Sequence, residues 1–237
     1  MFASTLRRSV LGLTTIAAIA AIVPAGASAS TAVRTGPNGN TLTVTAAPGE
    51  VNKMEVHARD NYVFVWERNN TDVLNGQPAG CQNYNGAEIW CPRSVVARVV
   101  VDTGDMNDSL VATLDTPIPT TLLGGAGNDV LDVKGVGGTI SQNAYTPSLY
   151  GGDGNDEVYG WQLSDILSGG NGNDILGAGA GNDTLSGGAG IDRMDAGANN
   201  DTVYARDGYR DYVACGTGND WFQTDAEQSI TGCESSF

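Results

Sequence analysis

The sequence predicts an all-β protein in which short parallel strands stack into a coil, preceded by a small antiparallel β region. Three observations carry this expectation. A nine-residue phrase, as in GGNGNDILG (169–177), recurs with Asp in its sixth place and an apolar residue in its eighth. Glycine is concentrated in the same part of the chain, 23 of the 33 glycines falling in residues 124–222. Residues 31–101 instead alternate apolar and polar positions with many β-branched side chains, the pattern of half-buried strands.

Residues 1–29 read as a targeting segment. Arg7 and Arg8 form a basic start, LGLTTIAAIAAIVPAG supplies an apolar run, and Ala27-Ser28-Ala29 is a small-x-small cleavage site, so the mature chain is expected to begin at Ser30 in an extracellular location. The run is too short for a bilayer span and is broken by Pro24. Arg7-Arg8-Ser9 leaves a twin-arginine route open, although the motif is loose and the general secretory route fits better.

In residues 30–102, TLTVTAA (41–47), KMEVHA (53–58), YVFVWE (62–67) and SVVARVVVD (94–102) read as short strands separated by Pro48-Gly49, Asp60-Asn61 and Asn69-Asn70. The four cysteines, Cys81, Cys91, Cys215 and Cys233, suit an oxidising compartment. Of three possible connectivities the most local, Cys81–Cys91 and Cys215–Cys233, is favoured. His57 is the single histidine and has no motif partner, so it reads as a surface or half-buried strand residue.

The nine-residue frame organises residues 103–222. Its sixth positions are Asp156, Asp165, Asp174, Asp183, Asp192 and Asp201, with Asp129 three units upstream and Asp220 beyond a one-residue insertion after Tyr204 that also displaces Asp211. The eighth positions run Leu122, Leu131, Ile140, Leu149, Val158, Leu167, Leu176, Leu185, Met194 and Val203, then resume at Val213 and Phe222. One inward side chain per short strand buries nothing usefully alone, so the units must stack. With nine residues making half a turn, aspartates eighteen apart share a column. Asp156, Asp174 and Asp192 form one, and Asp129, Asp165, Asp183 and Asp201 the other, with a gap where Pro147 falls. Thr103-Gly104-Asp105-Met106-Asn107-Asp108 looks like a decayed copy, and residues 223–237 read as a disulfide-clipped cap beside Trp221 and Phe222, which are expected to cover the open end.

Carboxylates stacked about 5 Å apart repel by something on the order of 3 kcal/mol at an effective dielectric near 20. A hard divalent cation between them reverses the sign, and backbone carbonyls of a glycine turn complete the six to eight oxygens that Ca²⁺ takes. Mg²⁺ prefers a tighter, wetter octahedron, and transition metals call for His or Cys. An EF-hand reading of Asp102–Asp108 fails for want of the required Gly and Glu.

GGAGNDVLD, GGDGNDEVY and GGNGNDILG fit the pattern G-G-x-G-x-D-x-U-x, so residues 124–222 resemble the hemolysin-type, or RTX, calcium-binding repeat. The resemblance implies a parallel β-roll and several Ca²⁺ ions ligated between adjacent turns by Asp129, Asp156, Asp165, Asp174, Asp183, Asp192, Asp201 and Asp220. Trp161-Gln162-Leu163 replaces glycines in one turn and Asn199 replaces one in another, which implies weaker sites there. Without calcium the chain is expected to be largely disordered.

Charge and motifs bound the function. Residues 1–29 hold no acid, so the remainder carries ten basic against 27 acidic side chains, which disfavours nucleic acid and anionic membranes and favours cations. Proteins with this repeat are often proteases, lipases, epimerases or toxins, yet H-E-x-x-H and G-x-S-x-G are absent and one histidine serves the whole chain. The expected function is therefore non-enzymatic: a secreted calcium-binding protein with no membrane span that folds on metal binding. A calcium-dependent cell-surface adhesion or interaction module is the first alternative, and a secreted carboxylate-based hydrolase is the second.

Overall fold

The computed structural model describes residues 30–35, 39–68, 78–84, 87–116, 118–135, 145–225, 229–233 and 235–236. The leader at 1–29, Ile140 and the Asn69-Asn70 separator lie outside them. Among the described residues the chain is all-β, and no helix is long and apolar enough to cross a membrane.

The strands are β1 (Thr31–Thr35), β2 (Thr41–Thr45), β3 (Lys53–Arg59), β4 (Tyr62–Glu67), β5 (Gln82–Tyr84), β6 (Glu88–Pro92), β7 (Arg98–Asp102) and β8 (Ser109–Leu114). Then come β9 (Thr120–Ala126), β10 (Val130–Lys134), β11 (Ser148–Asp153), β12 (Glu157–Tyr159), β13 (Ile166–Asn171), β14 (Ile175–Gly177) and β15 (Thr184–Ala189). The series closes with β16 (Arg193–Asp195), β17 (Thr202–Ala205), β18 (Tyr212–Ala214), β19 (Trp221–Thr224), β20 (Ser229–Thr231) and β21 (Ser235–Ser236).

From β7 onward the chain visits two sheets alternately, and each strand pairs in parallel with the strand two places later. One sheet runs β1-β2-β7-β9-β11-β13-β15-β17-β19-β21 and the other β20-β18-β16-β14-β12-β10-β8-β3-β4-β6-β5. The register repeats every eighteen residues where the nonapeptide is intact: Leu149 pairs with Leu167, Leu167 with Leu185, and Leu185 with Val203. This is the stacked parallel arrangement of a β-roll. Period-two alternation turns one side chain of each strand inward. Leu122, Leu149, Leu167, Leu185 and Val203 face Leu131, Val158, Leu176 and Met194 across the interior, and all are at most 1% exposed.

The antiparallel part is present in the β1–β2 hairpin and in the β3-β4-β6-β5 meander, where Cys81–Cys91 joins the start of β5 to β6. The division expected after residue 102 does not coincide with a break in the sheets. β2 pairs in parallel with β7 and β7 with β9, while β3 pairs in parallel with β8. Alternation reports which face of a strand is buried, not the direction of its partner.

The far end also differs from expectation. Trp221 and Phe222 do not cover an open end: they occupy the outward and inward places of β19, which pairs with β21, and Trp221 packs on Tyr204 at 5.3 Å. Cys215 and Cys233 are bonded at a separation of 18 residues, one coil apart.

Candidate metal centre

The connections between the sheets fall into two columns of turns. Those entering the second sheet are residues 103–108, 124–129, 151–156, 169–174, 187–192 and 205–211. Those returning are 160–165, 178–183, 196–201 and 215–220. In each column the backbone N–H of one aspartate donates to a carboxylate oxygen of the aspartate in the next coil. The first column runs Asp108 to Asp129 (2.8 Å), Asp129 to Asp156 (2.8 Å), Asp156 to Asp174 (2.8 Å), Asp174 to Asp192 (2.9 Å) and Asp192 to Asp211 (2.9 Å). The second runs Asp165 to Asp183 (2.7 Å), Asp183 to Asp201 (2.8 Å) and Asp201 to Asp220 (3.0 Å).

That bond satisfies one oxygen of each accepting carboxylate, as the Asn52 N–H does for Asp108 and the Trp161 N–H for Asp165, and leaves the other stranded. The second oxygen of Asp108, Asp129, Asp156, Asp165, Asp174, Asp183, Asp192 and Asp201 is buried without a hydrogen-bond partner, in residues that are at most 3% exposed. Burial pushes the carboxyls of Asp129, Asp156, Asp174, Asp183, Asp192 and Asp211 up to about 6, and those of Asp165 and Asp201 to about 7. The neighbouring carboxylate of the stack adds to the rise at most of these positions. A rise from 3.8 to about 6 costs the ionised group on the order of 3 kcal/mol at neutral pH. Two or three such groups rival the 5–15 kcal/mol by which a whole domain is stable. The ladder therefore favours positive charge or protons.

Backbone oxygens crowd the same place. A Cβ on Gly151 would lie 2.3 Å from the free Asp156 oxygen and 2.6 Å from the carbonyl of Gly169 in the next turn. Gly170, at φ +121°, leaves room for the carbonyl of Gly152, which a Cβ would meet at 2.0 Å, and Gly172 does the same for Gly154. The glycines thus keep open a cradle in which carboxylate and carbonyl oxygens of adjacent turns converge. Among the described residues no three His, Cys, Asp or Glu side chains gather at one point. Each gap instead offers two carboxylates and several carbonyls, an all-oxygen set that fits a hard cation such as Ca²⁺.

All eight aspartates named from the sequence lie in these columns, with one change of place. Asp129 belongs above Asp156 in the first column, not with Asp165, Asp183 and Asp201. The coil between them takes 27 residues instead of 18, because the return from β10 to β11 occupies residues 135–147. The gap expected at Pro147 thus lies in the second column. Asp165 begins that column among the described residues, with one carboxylate oxygen accepting the Trp161 N–H at 2.9 Å. The substituted turns keep their form: the carbonyls of Trp161 and Leu163 face Gly179 and Gly181, and Asn199 takes φ +82°, which Asn tolerates.

Two ladder residues were placed in the sequence frame but not named as metal ligands. Asp211 is displaced by the inserted residue, yet the seven-residue turn 205–211 returns its carboxylate to the column. Asp108 lacks the flanking glycine pattern. A second ladder, of asparagines in the fifth position, was also not foreseen. The N–H of Asn155 donates to Asn128 Oδ1 (2.8 Å), Asn173 to Asn155 (2.7 Å) and Asn219 to Asn200 (2.8 Å). The recurrent N-D dipeptide was its signal. His57 lies on β3 with Nε2 3.2 Å from Glu55 Oε2, where Trp66 and Arg68 also donate; these bonds hold the Glu55 carboxyl at about 2 against the opposing effect of burial.

Comparison with curated proteins and with solved structures gave no match. Residues 121–133, 148–176 and 177–210 match the RTX calcium-binding nonapeptide repeat, in four copies. These segments contain seven of the eight aspartates expected from the sequence, Asp129 to Asp201, and bracket the long return between β10 and β11. Residues 121–210 thus carry RTX calcium-binding nonapeptide repeats, and the stacked aspartate turns are the part of the fold those repeats build.

Proposed function

We propose that this protein is a secreted, non-catalytic calcium-binding protein whose coils fold on binding several Ca²⁺ ions between adjacent turns. The observation that carries the reading is the stack of buried carboxylates at Asp108, Asp129, Asp156, Asp174 and Asp192 and at Asp165, Asp183 and Asp201, each with one oxygen that no protein donor satisfies. Asp129, Asp156, Asp174 and Asp192, with Asp211 below them, would hold the ions of one column, and Asp165, Asp183, Asp201 and Asp220 those of the other. Bound calcium supplies the positive charge that lets neighbouring carboxylates stay ionised while buried. The turn carbonyls complete the shell, and the glycines admit them.

Secretion is supported by the basic and apolar leader at residues 1–29 and by the two disulfides. In calcium-poor cytosol the roll would stay unfolded and pass an export channel for extended chains; outside, calcium would order it. The test is expression of the full chain with its leader, recovery from the medium, and metal analysis after dialysis against Ca²⁺ or Mg²⁺. The reading expects an N-terminus at Ser30 and several Ca²⁺ per chain that Mg²⁺ does not replace; a chain that binds no calcium contradicts it.

One observation favours a calcium-dependent interaction module as a second reading. Tyr62, Phe64, Trp90 and Tyr84 form a continuous ring cluster on the outer face of β4, β5 and β6, with Tyr62 and Tyr84 more than 40% exposed. Binding to cell-surface glycans that vanishes in chelator would support it.

A further inference from the structure

The turn at residues 103–108 lies upstream of the first segment that matches the repeat, which begins at residue 121. Its sequence, TGDMND, keeps only one of the three glycines. Its geometry is nevertheless that of the repeat. Gly104 and Met106 take φ +88° and +77°, both left-handed, as do Gly125 and Gly127 one coil later. The carbonyls of Gly104 and Met106 point at Gly125 and Gly127 so closely that a Cβ there would meet them at 2.0 and 1.7 Å. Asn107 Oδ1 accepts the Asn128 N–H at 2.9 Å, and Asp129 accepts the Asp108 N–H at 2.8 Å.

The oxygens of this gap are also stranded. Asp108 is 3% and Asp129 1% exposed, and each keeps a buried carboxylate oxygen without a partner. Thr103 replaces the first glycine and brings a hydroxyl into the gap, which donates to the Gly124 carbonyl at 3.0 Å. One coil further up the arrangement changes. Asn52, fully buried, stands where the next aspartate would be, and its N–H donates to Asp108 Oδ1 at 2.7 Å. Its side-chain amide nitrogen donates to the carbonyl of Glu50 at 2.9 Å and reaches that of Thr103 at 3.3 Å. A neutral amide with two N–H donors there does for carbonyl oxygens what a cation does in the lower gaps.

We propose that the gap between turns 103–108 and 124–129 is a calcium site formed by Asp108 and Asp129, and that Asn52 closes the column above it with an amide in place of the next ion. The inference rests on the calcium reading of the repeats and extends it into a segment the repeat pattern does not cover. Its consequence is mechanical. Asp108 leads directly into β8, which pairs with β3, so this ion fastens the coil that carries the β3-β4-β6-β5 meander to the coils below.

The test is metal content after equilibrium dialysis against Ca²⁺, together with hydrogen exchange, on the full mature chain and three variants. Asp108→Asn is expected to lose about one Ca²⁺ per chain and the calcium-dependent protection of residues 103–114, while residues 151–201 stay protected. Asn52→Asp is expected to gain about one ion. Asp174→Asn reports on the repeats themselves. An unchanged metal count and unchanged protection in Asp108→Asn, with ions lost in Asp174→Asn, overturns this site and leaves the calcium reading standing. No bound calcium in the unsubstituted chain overturns both. An unchanged count in Asn52→Asp overturns the capping role. If the substituted chains do not fold, exchange in the unsubstituted chain decides: residues 103–114 must become protected at the same calcium concentration as 151–201, and protection there without calcium refutes the site.

Discussion

The backbone N–H of Asp156 donates to a carboxylate oxygen of Asp174, 2.8 Å away in the next coil and eighteen residues downstream. The bond aligns the two turns without metal, and it also sets the Asp174 carboxylate inside the stack with its other oxygen unsatisfied. Alignment and charge stress thus come from one contact. The same geometry that fixes the register also places charge stress in the stack at neutral pH.

The first consequence is an unusual pH dependence. The stacked carboxyls titrate at about 6 to 7 in the folded chain and near 4 when unfolded. Between those values the folded chain holds more protons, so stability falls as pH rises. In chelator, β content measured by circular dichroism should be greatest near pH 4 and decline as pH rises through 6–7. With calcium present the order reverses, because protons compete with the ion for the same oxygens, and affinity should fall on acidification below about pH 6.

Glycines that share a positive φ should differ in tolerance. Gly170→Ala places a Cβ 2.0 Å from the Gly152 carbonyl at a left-handed φ and should cost about 3 kcal/mol or more in calcium. Gly49 is also left-handed but has nothing within 4 Å, so Gly49→Ala should cost only about 1–2 kcal/mol. Thermal unfolding of the two calcium-loaded variants compares them; equal losses would refute the inter-turn carbonyl as the reason for glycine.

The asparagine ladder gives a smaller effect that does not depend on metal. Asn155→Ala removes the acceptor for the Asn173 N–H and should cost about 1 kcal/mol with the calcium count unchanged. Denaturant unfolding in saturating calcium measures it.

Cys215 and Cys233 bind successive coils at the downstream end. Opening that loop, as in Cys215→Ser with Cys233→Ser, should cost about 3 kcal/mol and leave β19 to β21 exchanging faster, while β11 to β15 keep their protection in calcium. Hydrogen exchange that changes equally along the whole chain would contradict a local role.

Much of this was legible because the nonapeptide is redundant. Aspartate, glycine and the apolar residue each report the same frame, so Leu149 to Val203 and Asp156 to Asp201 follow from counting. Counting failed wherever the coil length changed. The 27-residue coil shifted Asp129 to the other column, and the insertion after Tyr204 hid Asp211, because period alone carries no information about loop length. Asp108 was hidden differently: Met106 adopts by tertiary constraint a conformation that glycine would signal in the sequence. The parallel pairing of β2 with β7 and of β3 with β8 was hidden because alternating strands look alike in either direction.

The most direct test of the central claim is a calcium titration of the mature chain at pH 7.5, starting from chelator and followed by far-UV circular dichroism. The stranded carboxylates require a cooperative gain of β signal as calcium rises, shifted to higher calcium in Asp174→Asn and not reproduced by Mg²⁺. A chain with full β signal in chelator at that pH, unmoved by calcium, would show that the ladder is satisfied without metal and would contradict the account.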